Sequence, residues 1–141
     1  MTIPFFRDGF ALPVDQALLV LLNQEIAKTE LNIESLTQLT FNFRNPGYSA
    51  EQGGVHPVEI RLVRGLDDWL FDYVTDFSYQ GLGQDAELCK ELDFNFLDGE
   101  HSMLGWGPLR LAEARELFDI WQRNFIGYCR LECFSVTVSG D

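Results

Sequence analysis

Positive charge is what this sequence has least of. Ten Lys and Arg face 22 Asp and Glu, for a formal net charge of −12. A chain this acidic repels a phosphate backbone, which argues against direct nucleic-acid binding and in favour of basic partners. Long apolar runs are missing as well, since none approaches the ~20 residues that a membrane helix needs. The opening stretch, MTIPFFRDGFALP, has no cationic start followed by an apolar block and a small-residue cleavage site. A cytoplasmic protein without membrane contact is therefore expected. Cysteine is sparse and odd in number, at three. Cys129 and Cys133 fall in a segment that reads as a strand, which would hold them roughly 13 Å apart, too far for a disulfide. Buried, reduced thiols are expected instead. Only His56 and His101 could join the cysteines as ligands, so neither a metal nor a cofactor is expected.

What is present is apolar and aromatic: 46% of residues are hydrophobic, and Phe alone accounts for 12. That composition excludes disorder. At 141 residues the chain has the size of one domain, and folding can bury roughly 68% of its surface without staples. A single domain over residues 1–141 follows, beginning with an apolar arm over 1–13. Ile3, Phe5, Phe6 and Phe10 in that arm are expected to pack on the body or on a neighbouring subunit.

Periodicity supplies the elements. Val14 to Thr29 reads as a helix, with Leu18, Leu21 and Leu22 on one face and Pro13 at its entry. Leu36–Phe43, Pro57–Arg64, Trp69–Tyr79 and Glu87–Leu97 read as successive strands. On the third, alternation places Phe71, Tyr73, Thr75, Phe77 and Tyr79 on one face, expected to be core. A loop over Glu100–Pro108 leads to a second helix, in which Leu111, Ala114, Phe118, Trp121 and Phe125 form one stripe. Gly127 is placed at its left-handed cap, and Leu131–Val138 reads as a last strand. The order is α-β-β-β-β-α-β. Short connections imply an antiparallel meander, so the fold class is α+β: a twisted sheet of about five strands with helices on one face.

Chemistry is harder to find. GxSxG and HExxH are absent, His101-Ser102 is only a dipeptide in a loop, and no catalytic residue is expected. The Gly81-Leu-Gly83 and Gly105-Trp-Gly107 turns do not sit between a parallel strand and a helix, so they are not phosphate loops. Two candidate surfaces remain. One is the Gly- and Pro-rich loop carrying Arg44, Asn45, Tyr48, Ser49, Glu51, Gln52 and His56, which could bind a partner or roof a pocket. His56 precedes Pro57 and is expected to close that loop by a hydrogen bond. The other is an acidic face of Asp72, Asp76, Glu91 and Asp93, should the third and fourth strands pair. Residues four apart along one strand spread their oxygens too far for one ion unless the neighbouring strand contributes.

The block NFRNPGYSAEQGGVHPVEIRL, from Asn42 to Leu62, followed by YVTDFSY and KELDFNF, resembles a family of uncharacterised bacterial proteins, domain of unknown function 2787. The resemblance runs over nearly the whole chain. It implies kinship with small acidic mitochondrial matrix proteins that bind complement and many other partners. Those have a twisted antiparallel sheet flanked by terminal helices and form acidic trimeric rings, which implies a binding role and a homo-oligomer here. This chain departs from them by ending in a strand. The expectation is a non-enzymatic, acidic interaction domain for basic or amphipathic proteins; the alternative is a small-ligand binder or enzyme with its pocket at the Arg44–His56 loop.

Overall fold

In the computed structural model, which describes residues 3–5 and 12–141, helix α1 spans Gln16–Ala27. Asp15 caps it, its carboxylate accepting a hydrogen bond from the Ala17 N–H at 2.9 Å. The cap, not Pro13, sets where the helix begins. Strands β1 (Gln38–Arg44), β2 (Val58–Arg64), β3 (Trp69–Gln80) and β4 (Glu87–Asn95) then pair as an antiparallel meander. Two further strands appear, β5 (Glu100–Met103) within the stretch Glu100–Pro108 expected to be loop and β6 (Leu109–Arg110) just after it. They are too short to show a hydrophobic period, and each is held by its neighbour's backbone rather than by its own composition. Helix α2 (Arg115–Arg130) and strand β7 (Ser135–Gly140) complete the chain. Among the described residues the sheet thus has seven strands, not about five, in the order β6-β5-β4-β3-β2-β1-β7. The chain order is α-β-β-β-β-β-β-α-β.

One hydrophobic cluster fills the space between the sheet and the helices. Leu39, Phe41 and Phe43 of β1 and Val58, Ile60 and Leu62 of β2 join it from the sheet. Leu18, Leu22 and Ile26 of α1 and Phe118, Trp121 and Phe125 of α2 join it from the helices. Aromatic edges set the contact: Phe43 meets Phe125 edge-on at 4.9 Å, and Phe94 meets Phe118 at 5.0 Å. Of the amino-terminal arm, Ile3 is buried and Phe5 lies 6.0 Å from Phe71, while Pro4 accepts the Trp69 N–H at 2.9 Å. The described part of the arm therefore packs on its own chain; residues 6–11, with Phe6 and Phe10, lie outside the described residues.

The aromatic face expected along β3 is broken. Arg61 pairs with Tyr73 but Leu62 pairs with Phe71, leaving Asp72 as an extra residue. Such a bulge reverses the alternation. Phe71 and Val74 are both fully buried, whereas Tyr73, Phe77 and Tyr79 lie on the opposite, outer face. A second irregularity follows Asp76, where Asp76 pairs with Leu92 and Phe77 with Lys90, leaving Glu91 unmatched on β4.

At the carboxyl end, α2 runs through Gly127 to Arg130. Gly127 is not a left-handed cap; Glu132, at φ 58°, takes that conformation instead. Tertiary packing of Phe125 and Ile126 carries the helix past a residue that weakens it only mildly. Cys129 consequently belongs to the helix and Cys133 follows it, so the last strand, expected from Leu131, starts later, at Ser135.

Candidate functional site

The loop between β1 and β2 is folded on itself. Asn45 accepts the Gly47 N–H at 2.7 Å and donates to the Cys133 carbonyl at 2.9 Å, tying the loop to the segment before β7. A tight turn returns the Gly53 N–H to the Ser49 carbonyl at 2.9 Å. Gly53 and Gly54 sit at φ 67° and 125°, a conformation residues with a Cβ resist. The turn delivers Tyr48 to β3: its hydroxyl accepts the Tyr79 N–H at 3.0 Å, and its ring stacks on that of Tyr79 at 5.4 Å.

His56, at the loop's end, is where charge converges. Its Nδ1 lies 2.8 Å from Asp76 Oδ1 and 2.9 Å from Glu91 Oε2. Three elements meet there: the loop, β3 and β4. The unmatched position of Glu91 matters, because a bulge re-aims a side chain that regular pairing would direct elsewhere. Asp76 is largely buried, and its second oxygen accepts the Trp121 indole N–H at 2.9 Å. A buried indole needs such a partner, so Trp121 orients the carboxylate that faces His56. Behind His56 lies a cavity of about 200 Å³, walled by Gly54, Val58, Trp121, Asn124 and Tyr128. That is below the roughly 300–1,000 Å³ of drug-sized ligand sites. On the other side an open groove runs along Glu91, Gln80, Met103 and Leu104.

The remaining sequence candidates lie elsewhere. Arg44 is on the outer sheet face, its guanidinium 5.9 Å from the Phe77 ring centre, and Glu51 is exposed at the loop tip. The four carboxylates expected on one face divide. Asp76 and Glu91 turn to His56, while Asp72 and Asp93 occupy the outer face. There Asp72 is 3.3 Å from Arg61, and Asp93 accepts the Thr75 hydroxyl at 2.6 Å. Burial pushes the Asp72 carboxyl above its ordinary range; Arg61 opposes this, and Asp98 and Asp93 add to it. Nearby, Tyr73 donates to Glu59, and burial together with that bond raises the phenol.

His101 is a core residue. It stacks on Phe94 at 4.6 Å and donates Nδ1–H to the Asp93 carbonyl at 3.1 Å. Burial lowers its pKa below the ordinary 6.5. All three cysteines are free, and burial, with Glu25 and Cys133 adding to it, pushes the Cys129 thiol up to about 12. Among the described residues, no helix is long and apolar enough to cross a membrane. Sequence reasoning missed the part Trp121 plays, since its place in an apolar stripe signals core and nothing more. It also missed the meeting of Glu91 with His56, which depends on the bulge.

Comparison with known proteins places this chain in a family. No curated protein matches the chain. A solved structure of the hypothetical protein VC0508, from the VSP-II pathogenicity island of Vibrio cholerae, is similar at 30% identity and a TM-score of 0.90, covering 99% of this chain and 100% of that one. The conserved hypothetical protein VC1805, from pathogenicity island VPI-2 of Vibrio cholerae O1 biovar eltor, is similar at 32% identity and a TM-score of 0.80. It covers 94% of this chain and 98% of its own, and is described as sharing structural homology with the human P32 protein. The family profile "Protein of unknown function (DUF2787)" matches residues 16–139. Spanning nearly the whole fold, that match means the chain belongs to the DUF2787 family.

Proposed function

We propose that this chain is a non-enzymatic, acidic interaction domain that binds basic or amphipathic proteins through the outer face of its sheet. One observation carries the reading. Among the described residues both helices pack on the opposite face, which leaves Glu59, Asp72 and Asp93 part-exposed on the outer face, where Arg61 is the cation within 4 Å of Asp72. Burial raises the Asp72 carboxyl, with Arg61 opposing and Asp98 and Asp93 adding to it, so a further cation beside it would favour its charged form. The net charge of −12 extends the attraction over the whole surface. The likeness of a relative to P32 supports a protein partner, and self-association belongs to the same reading. The free thiols fit a reducing compartment such as the cytoplasm.

The test is binding of a fluorescent Lys-rich peptide to the protein and to an Asp72→Asn, Asp93→Asn, Asp98→Asn variant, at low and high salt. Affinity should fall at least tenfold in the variant, and the wild-type affinity should fall steeply as salt screens the surface. Binding that ignores both the substitutions and the salt would refute the outer-face reading. Light scattering on the purified protein decides self-association: a monomer mass removes that part.

A further inference from the structure

The cluster at His56 is separate from the outer face, and its chemistry points elsewhere. Asp76 and Glu91 bring two carboxylates to one nitrogen, and their donor atoms all lie within 4.8 Å of one another. Among the described residues, His56 is the one potential cation within 4 Å of either carboxylate. Two carboxylates brought this close to one imidazole nitrogen are an arrangement that a divalent cation between them would suit.

We propose that His56, Asp76 and Glu91 form a binding site for a divalent first-row transition-metal ion. The spacing fits. Cis donors around an octahedral ion at about 2.1 Å stand about 3 Å apart, and His56 Nδ1 is 2.8 and 2.9 Å from the two oxygens. One imidazole with two carboxylates is a donor set suited to zinc or manganese. Trp121 fixes Asp76 through its second oxygen at 2.9 Å, the kind of outer contact that orients a ligating carboxylate. The Asp76 carboxylate is then held ready while Glu91, half-exposed on the groove, closes on the ion. The groove along Gln80 and Leu104 gives the ion a path from solvent and leaves its remaining positions to water.

The experiment is calorimetric titration of chelator-treated protein with Zn2+ at pH 7.5, paired with the absorption spectrum of the Co2+ form. One equivalent should bind, and His56→Gln and Glu91→Gln should each weaken it by at least tenfold. Glu87→Gln, on the same strand, should leave it unchanged. Glu91 is partly exposed, so its substitution tests the site even if His56→Gln loosens the loop; circular dichroism confirms that each variant is folded. The Co2+ spectrum should show weak visible bands and no intense near-ultraviolet thiolate band, placing the ion on nitrogen and oxygen. Failure to take up one equivalent, uptake that survives both substitutions, or a thiolate band pointing to the cysteines would each overturn the proposal.

Discussion

The bulge at Asp72 makes the sharpest prediction about this fold. Phe71 and Phe77 lie on one strand, six residues apart, and unbroken alternation would place both in the core. In the structure Phe71 is fully buried, against Phe5 at 6.0 Å and Phe96 at 5.3 Å. Removing its ring leaves a cavity that those neighbours can only partly fill, so Phe71→Ala should cost about 3–5 kcal/mol. Phe77 is half-buried on the outer face, under the Arg44 guanidinium at 5.9 Å. Its truncation exposes the site to solvent and leaves no cavity. About 1 kcal/mol of lost burial and a further ~0.5 kcal/mol of cation–π contact give roughly 1.5 kcal/mol in all. Urea unfolding with an unchanged slope would report both values. For a chain of this length the larger loss lowers the melting temperature by about 10–17 °C and the smaller by about 5 °C. Equal losses at the two positions would show that the strand alternates without a break, and that the bulge is wrong.

Trp121→Phe removes the indole donor from the largely buried Asp76 carboxylate and should cost about 1.5–3 kcal/mol by chemical unfolding; a loss within error would mean that Asp76 does not depend on it. Asp15→Ala deletes the α1 cap and should cost about 1 kcal/mol, read in the same assay. His101 is held below its unfolded pKa, so its neutral form is favoured by the fold. Stability from it is complete above pH ~6.5 and declines as pH falls below that value, because the unfolded chain takes up the proton first; His101→Leu should flatten this slope in melts between pH 7 and 5. With its thiol near 12, Cys129 should alkylate at pH 8 roughly a thousand times more slowly in the folded protein than in urea, which peptide mass spectrometry would quantify.

Much of this molecule was legible in the sequence. The apolar stripe of Phe118, Trp121 and Phe125 specified α2, and Leu39, Phe41 and Phe43 specified β1, because burying one face imposes its period on the residues. Short turns specified an antiparallel meander, and the acid excess determined the character of the surface. Position in space was decided by the tertiary structure alone. β5 exists because β4 offers it a backbone edge, and β6 because β5 does, contacts that leave no period behind. Gly127 stays helical because its neighbours pack against the core. The acidic residues divided because two bulges shifted the register, and a shift of one residue exchanges the faces of everything beyond it. His56 meets Asp76 and Glu91 for the same reason. Their separations along the chain, 20 and 35 positions, carry no local signal, and only the pairing of β3 with β4 brings them to one point.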